Sequence, residues 1–301
     1  MTGRSVVAPP SEGKLTKYVL TYAKERGLDP GRVRRWISYM ALGGVLQRRQ
    51  GPGPARFVFK GGVALELRLR TRARATRDLD LILNDGSAGL VEALEEAFEA
   101  PYEGFVFRRK GRPQPLTCGA LRLDVLLTFK GKPWGTVQVD IARYEGNGTE
   151  VEPLTPIALA DFGLSGPHVV PCISLRHHIA HKLHGVSLPP AENRPNERFK
   201  DLIDLLILKD LVQDLSELHS ACRAVFEVRG THPWPPILSV PPHWDGPFVR
   251  MARETGLGAY SLQGAVGEVR AFVARVCAAS SAEGRDAPTG TDAAQTLGTL
   301  R

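Results

Sequence analysis

Cysteine, methionine and long apolar runs are all scarce in this sequence of 301 residues. It has four cysteines and three methionines, and no two cysteines form a C-x-x-C pair. Scattered cysteines argue against a disulfide framework and against a zinc site, so we interpret them as buried or incidental thiols. No apolar run approaches the roughly 18 residues of a membrane span, and the first 14 residues lack the apolar core of a signal peptide. These absences predict a cytoplasmic protein without a membrane partner. The cysteines are Cys118, Cys172, Cys222 and Cys277.

Acidic residues are outnumbered by basic ones. The chain has 32 Asp and Glu against 39 Lys and Arg, which gives a net charge of +7 and a sequence pI of about 9.4. A basic balance is compatible with a nucleic-acid partner. The remaining composition, 43% hydrophobic and 24% charged, is that of a folded globular protein. The length suits one large domain or two modest ones.

The stretch at residues 56–83 carries most of the chemical information. An apolar run at residues 57–59 predicts a strand, Gly61 and Gly62 predict a turn, and residues 63–69 predict a short helix. A second strand is predicted at residues 79–83. The loop between the helix and this strand is basic, with Arg70, Arg72, Arg74 and Arg77.

Two carboxylates, Asp78 and Asp80, open the second strand. Alternation along a strand turns them to the same face, with Leu79 and Leu81 turned toward the core. Adjacent carboxylates repel unless a cation lies between them, and Mg²⁺ prefers oxygen ligands that it shares with substrate phosphates. Glycines before a helix let backbone N–H groups approach a phosphate. The pattern indicates nucleotidyl transfer; the alternative is a strand start with solvated acids.

The N-terminal residues predict two helices, at residues 14–26 and from residue 30 to about 49, followed by a linker that ends at Ala55. Residues 1–13 are expected to be flexible. The second helix carries several arginines. We interpret them as a solvated face, with an RNA surface as the alternative.

Alternating segments follow the central stretch. A turn at residues 85–87, with a possible helix cap at Ser87, precedes a helix at residues 90–99. Strands are predicted at 104–108, 120–129 and 136–144, and the last two form a hairpin around residues 131–133. Asp124 and Asp140 each interrupt an apolar alternation, which is costly for a buried carboxylate without a partner. We expect one of them to join Asp78 and Asp80 at a shared metal site.

The C-terminal half reads as helical. Residues 153–171 form a loop-rich connection, after which helices are predicted at 175–184, 198–211, 216–228, 248–254 and 261–278, with a disordered tail from about residue 280. The helix at 175–184 contains four histidines, which we interpret as a polar face because they lack the H-E-x-x-H pattern of a zinc site. Lys182 on this helix is a candidate for the cleft. Asp201 and Asp204 share one face of the next helix, where the alternative is a surface ion pair.

Taken together, these segments resemble the AbiEii/AbiGii toxin family of nucleotidyltransferase-like proteins, including its mycobacterial MenT branch. The motifs lie in the family's order over roughly residues 15–278. They are KGGVALELR at Lys60–Arg68, RATRDLDL at Arg74–Leu81, VQVDI at Val137–Ile141, and IAHKLHG at Ile179–Gly185 followed by RFKDLIDLL at Arg198–Leu206.

The resemblance implies an α+β fold with a DNA polymerase β-like nucleotidyltransferase core, which is a mixed sheet flanked by helices, and a helical C-terminal half. We divide the chain into an N-terminal helical segment (1–55), the core (56–165), a helical region (166–278) and a tail (279–301). The resemblance further implies a toxin that uses Mg²⁺ and an NTP to modify the 3′ end of tRNA, encoded beside an antitoxin.

The resemblance also implies roles for individual residues. Gly61 and Gly62 would line the triphosphate, with Lys60, Thr76 and Arg77 as further nucleotide contacts. Thr76 would replace the serine that many relatives have after the first glycine. Asp78, Asp80 and Asp140 would hold Mg²⁺, with Asp140 as an alternative proton acceptor. Lys182 would contact phosphate, oriented by Asp201 or Asp204. The basic loop residues Arg70, Arg72 and Arg74 would contact the RNA acceptor.

Two other functions fit the same residues. One is a nucleotidyltransferase that acts on a small molecule or on a protein hydroxyl. The other is a catalytically silent protein that binds a nucleotide or an antitoxin. The acceptor distinguishes the first alternative, and the effect of Asp80→Ala on growth inhibition distinguishes the second.

Overall fold

The computed structural model describes residues 7–48, 53–86, 89–116, 119–143, 150–189 and 196–283. The predicted flexible N-terminus and disordered tail lie largely outside these ranges, as do Ser87 and Cys118. Nine helices and seven strands occur in the described residues. The helices are α1 (Glu12–Arg26), α2 (Pro30–Gln47), α3 (Gly61–Leu69), α4 (Leu90–Phe98), α5 (Leu175–Val186), α6 (Phe199–Leu208), α7 (Leu215–Arg229), α8 (Asp245–Glu254) and α9 (Leu262–Glu283). The strands are β1 (Phe57–Lys60), β2 (Asp78–Leu83), β3 (Phe105–Pro115), β4 (Leu121–Phe129), β5 (Lys132–Arg143), β6 (Val151–Leu154) and β7 (Val170–Ile173).

The first two helices begin and end as their sequence dictates. The Ser11 hydroxyl accepts a hydrogen bond from the Lys14 backbone N–H at the start of α1, and Gly27 ends that helix with φ +62°. The Asp29 carboxylate caps α2, and its first residue is Pro30. Both helices were predicted, and α2 ends two residues earlier than expected.

A single mixed sheet organises the chain, with the strand order β3-β4-β5-β2-β1-β7-β6. β2 pairs antiparallel with β1 and parallel with β5, and β1 pairs parallel with β7. The predicted mixed sheet flanked by helices is therefore confirmed. Its short central strands bring distant segments together, because β2 lies between residues that are far apart in the chain.

The observed strands differ from the predicted ones in three details. The loop-rich connection at residues 153–171 lies between two strands that were not predicted, since β6 ends at Leu154 and β7 begins at Val170. β3 continues seven residues beyond the predicted end at Arg108. The β4–β5 turn is centred on Lys130 and Gly131, both with positive φ, so β5 begins at Lys132.

Two apolar cores flank the site. One face of the sheet packs against α1, α2 and α4, with buried side chains such as Leu79, Leu81 and Ile141. The C-terminal helices α5 to α9 enclose a second core, to which Leu65 and Leu69 of α3 belong. α3 thus contacts both cores, and the groups at its N-terminus lie where they meet. The predicted domain boundaries stay a prediction.

The described part of the chain contains no helix with both the length and the apolar character needed to cross a bilayer. The cysteines that the structure describes are free thiols, and Cys172 and Cys222 are buried. Burial raises the pKa of Cys172 to about 12.

Candidate active site

The turn between β1 and α3 requires glycine at two successive positions. Gly61 has φ +59°, and a Cβ there would lie 1.9 Å from Oδ2 of Asp80. A Cβ on Gly62 would lie 2.3 Å from the Thr76 hydroxyl oxygen. Only glycine therefore allows the start of α3 to approach the carboxylates so closely. The helix N-terminus adds free backbone N–H groups at this point, which suit a phosphate.

Strand register gathers the acids that the sequence indicated. Asp80 on β2 lies opposite Asp140 on β5, and Asp78 lies opposite Gln138. Burial raises the pKa of Asp80 above its usual range, and the neighbouring Asp78 and Asp140 add to the rise against the opposing effect of Lys60 and Lys182. Crowded carboxylates of this kind favour a cation between them.

Each outer acid of this group has its own hydrogen-bond partner. The Thr76 hydroxyl donates to Oδ1 of Asp78 at 2.7 Å. Arg122 on β4 donates to both oxygens of Asp140, at 2.8 and 2.7 Å. Asp124, the other candidate, is exposed on β4 opposite Gln138. Of the two strand acids, the structure therefore brings Asp140 to the site, together with an arginine that the sequence analysis did not select.

A buried ion network forms the floor of the site. Lys182 on α5 donates to Asp201 at 3.0 Å and to Asp204 at 2.6 Å. Arg74 donates to both oxygens of Asp204, each at 3.0 Å. Burial lowers the pKa of Lys182, but the two carboxylates outweigh it and leave that pKa raised. Both Asp201 and Asp204 thus orient Lys182, and Asp204 also fixes the basic loop.

The four arginines of the basic loop have different surroundings. Arg74 is engaged with Asp204, and Arg70 donates to the backbone oxygen of Thr155. Arg72 and Arg77 are exposed, and Arg77 also lines the cleft. Within this loop, Arg77 is the exposed cation placed toward the carboxylates.

Helix α2 holds the basic loop in place through Arg32. Its guanidinium donates to the backbone oxygens of Ala73 and Arg70, at 2.7 and 3.1 Å, and to Glu66 at 3.0 Å. Trp36 donates to the other oxygen of Glu66 at 3.0 Å. Burial raises the pKa of Glu66 to about 7 despite the opposing effect of Arg32. This network was missed, although a glutamate inside the apolar VALEL run signals a buried partner.

The glycine turn, the three strand carboxylates, Arg122 and Lys182 line one cleft of about 1290 Å³. Its walls come from the α1–α2 junction, the β1–α3 turn, the basic loop and the start of α6. Arg35 of α2 also lines it, and the Arg35 Nε is buried without a hydrogen-bond partner among the described residues. A highly charged cleft with cations around a carboxylate group suits a polyanionic ligand that carries a metal ion.

The oxygen donors fit a hard divalent cation, although they are not gathered around one point. Among the described residues, no group of three or more His, Cys, Asp or Glu side chains is already arranged to hold a metal ion. Asp78 and Asp80 share a face, whereas both oxygens of Asp140 accept from Arg122. Asp140 would therefore have to leave Arg122 to join a metal.

His184 of α5 packs against α7 and the loop that follows it. It shares a hydrogen bond with Thr231 and contacts the His232 ring at a tilted angle, with ring centroids 4.7 Å apart. Burial, together with Arg229 and His232, lowers the pKa of His184 to about 3. A neutral, packed imidazole is a structural group. The predicted polar face was wrong, because His177, His178 and His184 are buried.

Comparison with known proteins gives one family. The family described as "Nucleotidyl transferase AbiEii toxin, Type IV TA system" matches residues 45–261. No curated protein matches the chain. A solved structure of MenT4, a nucleotidyltransferase toxin from Mycobacterium tuberculosis H37Rv, is 20% identical with a TM-score of 0.51, over 92% of this chain and 90% of that one.

Two more distant structures are similar over most of their length. A nucleotidyltransferase structure from H. pylori is 14% identical with a TM-score of 0.42, over 83% of this chain and 96% of that one. The antibiotic-resistance factor ANT(2'')-Ia is 18% identical with a TM-score of 0.31, over 72% and 91%. Sequence identity at this level carries the fold alone.

Proposed function

The chain belongs to the AbiEii family of nucleotidyltransferase toxins of type IV toxin–antitoxin systems, and from this premise we propose that it transfers nucleotides from an NTP, with Mg²⁺, to the 3′ end of tRNA. Modification of that end would block aminoacylation and stop translation and growth. The protein would act in the cytoplasm and would be encoded beside its antitoxin. One observation carries the proposal: the glycine turn, the register-matched Asp80 and Asp140, and Lys182 line one cleft.

The glycine turn is the proposed seat of the triphosphate. The N–H groups at the start of α3 would bind phosphate oxygens, because Gly61 and Gly62 leave no side chain in the way. Lys60 lies opposite Asp80 in the strand register, and Thr76 and Arg77 lie beside the same turn. These three side chains would add cationic and hydroxyl contacts to the nucleotide.

The carboxylates are the proposed metal ligands. Asp78 and Asp80 would hold Mg²⁺, and Asp140 would complete the site or accept the proton of the attacking hydroxyl. A bound divalent ion neutralises charge on the transferring phosphoryl group and orients it. Arg122 donates to both oxygens of Asp140, so this carboxylate would exchange the arginine for the metal ion or for the proton.

Lys182 is the proposed phosphate contact on the opposite wall. Its ammonium is held charged by Asp201 and Asp204, so it would present a fixed positive charge to the leaving pyrophosphate. Because both acids hold the ammonium in place, the charge would require no reorganisation during the reaction. Arg70, Arg72 and Arg74 would contribute to the acceptor side through the loop that they form.

Incorporation of label tests the proposal directly. Purified protein would be incubated with Mg²⁺, total tRNA and each of the four α-labelled NTPs, beside Asp80→Ala and the control Asp161→Ala, which changes an exposed acid away from the cleft. We expect label in tRNA from wild type and the control and none from Asp80→Ala. No label from wild type in any lane would overturn the tRNA acceptor.

Two alternatives are outcomes of the same experiment. Label in a small hydroxylated molecule or in a protein, rather than in tRNA, would assign a different acceptor. If Asp80→Ala inhibited growth as strongly as wild type, the protein would act by binding rather than by catalysis. The net charge of +7 favours a polynucleotide over both.

A further inference from the structure

The outer strand of the sheet carries a dense group of basic residues. Four of the five residues at positions 108–112 of β3 are basic, and all four are exposed. β3 lies at the edge of the sheet, where it pairs with β4 alone. The group consists of Arg108, Arg109, Lys110 and Arg112.

Strand register places part of this group on the same face as the active-site carboxylates. Lys110 lies opposite Asp124 on β4, which lies opposite Gln138 on β5, which lies opposite Asp78 on β2. Arg108 is two residues before Lys110 and therefore points the same way. Arg109 points to the other face, where it pairs with Glu95 of α4 at 2.7 Å.

The sheet face between these cations and the carboxylates is open. The helices α1, α2 and α4 pack on the opposite face, whereas Asp124 and Thr136 on this face are exposed. Arg122, two residues before Asp124 on β4, lies on the same face and lines the cleft. Three strand spacings separate β3 from β2, which is about 14 Å. One strand of double-stranded DNA advances about 3.4 Å per nucleotide along the helix axis, and at that spacing the distance corresponds to roughly four nucleotides.

We propose that the open face of β3, β4 and β5 binds the phosphate backbone of the RNA acceptor, with Arg108 and Lys110 as contacts upstream of the reacting 3′ end. The proposal rests on the proposed function for the position of that end, and it adds the path by which the RNA reaches it. Charge is the basis of the assignment. Neither Arg108 nor Lys110 has an ion-pair partner within the described residues, so their charges face solvent. Asp124 is the one exposed acid on this part of the face, opposite Lys110.

Charge reversal on β3 tests the surface without touching the catalytic groups. Arg108→Glu with Lys110→Glu would be compared with two controls. Lys14→Glu with Lys17→Glu makes the same change in net charge on α1, behind the sheet. Arg109→Glu changes the same strand on its other face. Circular dichroism and thermal unfolding would establish that each variant is folded.

Binding would be measured on an Asp80→Ala background by filter retention of end-labelled tRNA at several salt concentrations. We expect the β3 double variant to bind at least tenfold more weakly, with the slope of log K against log salt reduced by about 2, because two phosphate contacts are lost. Both controls should stay within about twofold. The proposal would be overturned if the β3 variant bound tRNA as tightly as the parent protein, or if the parent protein did not bind tRNA. In the first case, the basic residues would serve to keep the edge strand from pairing with another chain.

Turnover separates this inference from the proposed function. In the catalytic background, the β3 variant should show a raised KM for tRNA and an unchanged KM for NTP. If wild type did not label tRNA, only the proposed acceptor would be contradicted. The proposed binding surface is tested separately, because tRNA retention is measured on the Asp80→Ala protein. A raised KM for NTP in the β3 variant would contradict the assignment of these residues to the acceptor.

Discussion

Arg122 grips Asp140 with two parallel hydrogen bonds across the β4–β5 pair, 2.8 and 2.7 Å long. The hydrogen bonds to Asp140 raise the pKa of Arg122, so the guanidinium remains charged throughout the working range. Any divalent ion that uses Asp140 must compete with this arginine. The pair would therefore control how easily Asp140 joins the proposed metal site.

Removing the arginine should strengthen metal binding. In Arg122→Met, Asp140 no longer has its cationic partner, and a divalent ion becomes the remaining way to relieve repulsion among three acids. A partly exposed pair of this kind is worth up to about 1 kcal/mol, so we expect Mn²⁺ to bind roughly fivefold more tightly. Calorimetric titration with Mn²⁺ in the absence of NTP measures this. Weaker binding would mean that Arg122 helps to place Asp140 for the ion.

Substitution of Asp204 should lower the free energy of unfolding, because it breaks the buried ion network beneath the site. Asp204→Asn removes the carboxylate that forms an ion pair with Arg74 and one of the two that pair with Lys182. Breaking a buried ion pair costs about 3–5 kcal/mol because the remaining charge stays buried. Urea unfolding at pH 7 would show this loss. The control Asp210→Asn removes an exposed acid paired with Lys209, and it should change the free energy of unfolding by less than about 0.5 kcal/mol.

Asp204→Asn should also change how the free energy of unfolding depends on pH in the acid range. Lys182 and Arg74 hold the pKa of Asp204 below its usual value despite burial. A lowered pKa in the folded state gives stability that is present above the unfolded pKa of 3.8 and lost as the pH falls through the folded value. Asp204→Asn should lack this component. If the free energy of unfolding fell with pH equally in Asp204→Asn and wild type, the pH dependence would come from other carboxylates.

Glu66 should give the opposite pH dependence. Its pKa is about 7 in the folded protein against 4.5 as the ordinary value. Its contribution is therefore fully present below pH 4.5 and lost as the pH rises through about 7, which corresponds to roughly 3 kcal/mol. Glu66→Gln cannot ionise, so its unfolding free energy should vary less over this window than that of wild type. Parallel curves for the two proteins would refute the assignment.

Gly61→Ala should remove activity more than stability. The substitution puts a methyl group against Asp80 and forces a left-handed conformation at φ +59°. The conformation costs about 1–2 kcal/mol, whereas a displaced carboxylate costs about a hundredfold in turnover. Gly230→Ala is the matched control, because Gly230 has φ +58° and its nearest neighbour atom would be 3.9 Å away. It should lose similar stability and retain activity.

Local sequence patterns were enough to predict the helices and the central strand–turn–helix unit. They also predicted that the two acids of β2 share one face. The apolar alternation around Asp78 and Asp80 fixes their face, and Leu79 and Leu81 are fully buried as expected. The strands β6 and β7 were missed because each has four residues, and both contain proline, which is unusual within a strand.

Pairings between distant segments lie beyond local patterns. The sequence pattern singles out Asp124 in LRLDVLL. The β4–β5 register instead places Arg122, two residues earlier, against Asp140. Arg74 belongs to a basic run, yet its partner Asp204 is 130 residues away. An aspartate inside the apolar run of α6 signals that some cation must meet it, although only the packing of α5 and α6 on the loop identifies which.

The two halves of the site are separated along the chain, and this has a consequence during synthesis. The glycine turn and the carboxylates leave the ribosome first, but Lys182 and its two acids come from helices that are made later. A nascent chain that carries the sheet alone already has Arg32 to hold the basic loop, but it lacks Lys182 and the Asp204 partner of Arg74. Such a polypeptide would lack the charge proposed to meet the leaving pyrophosphate, and toxicity would begin with completion of the fold.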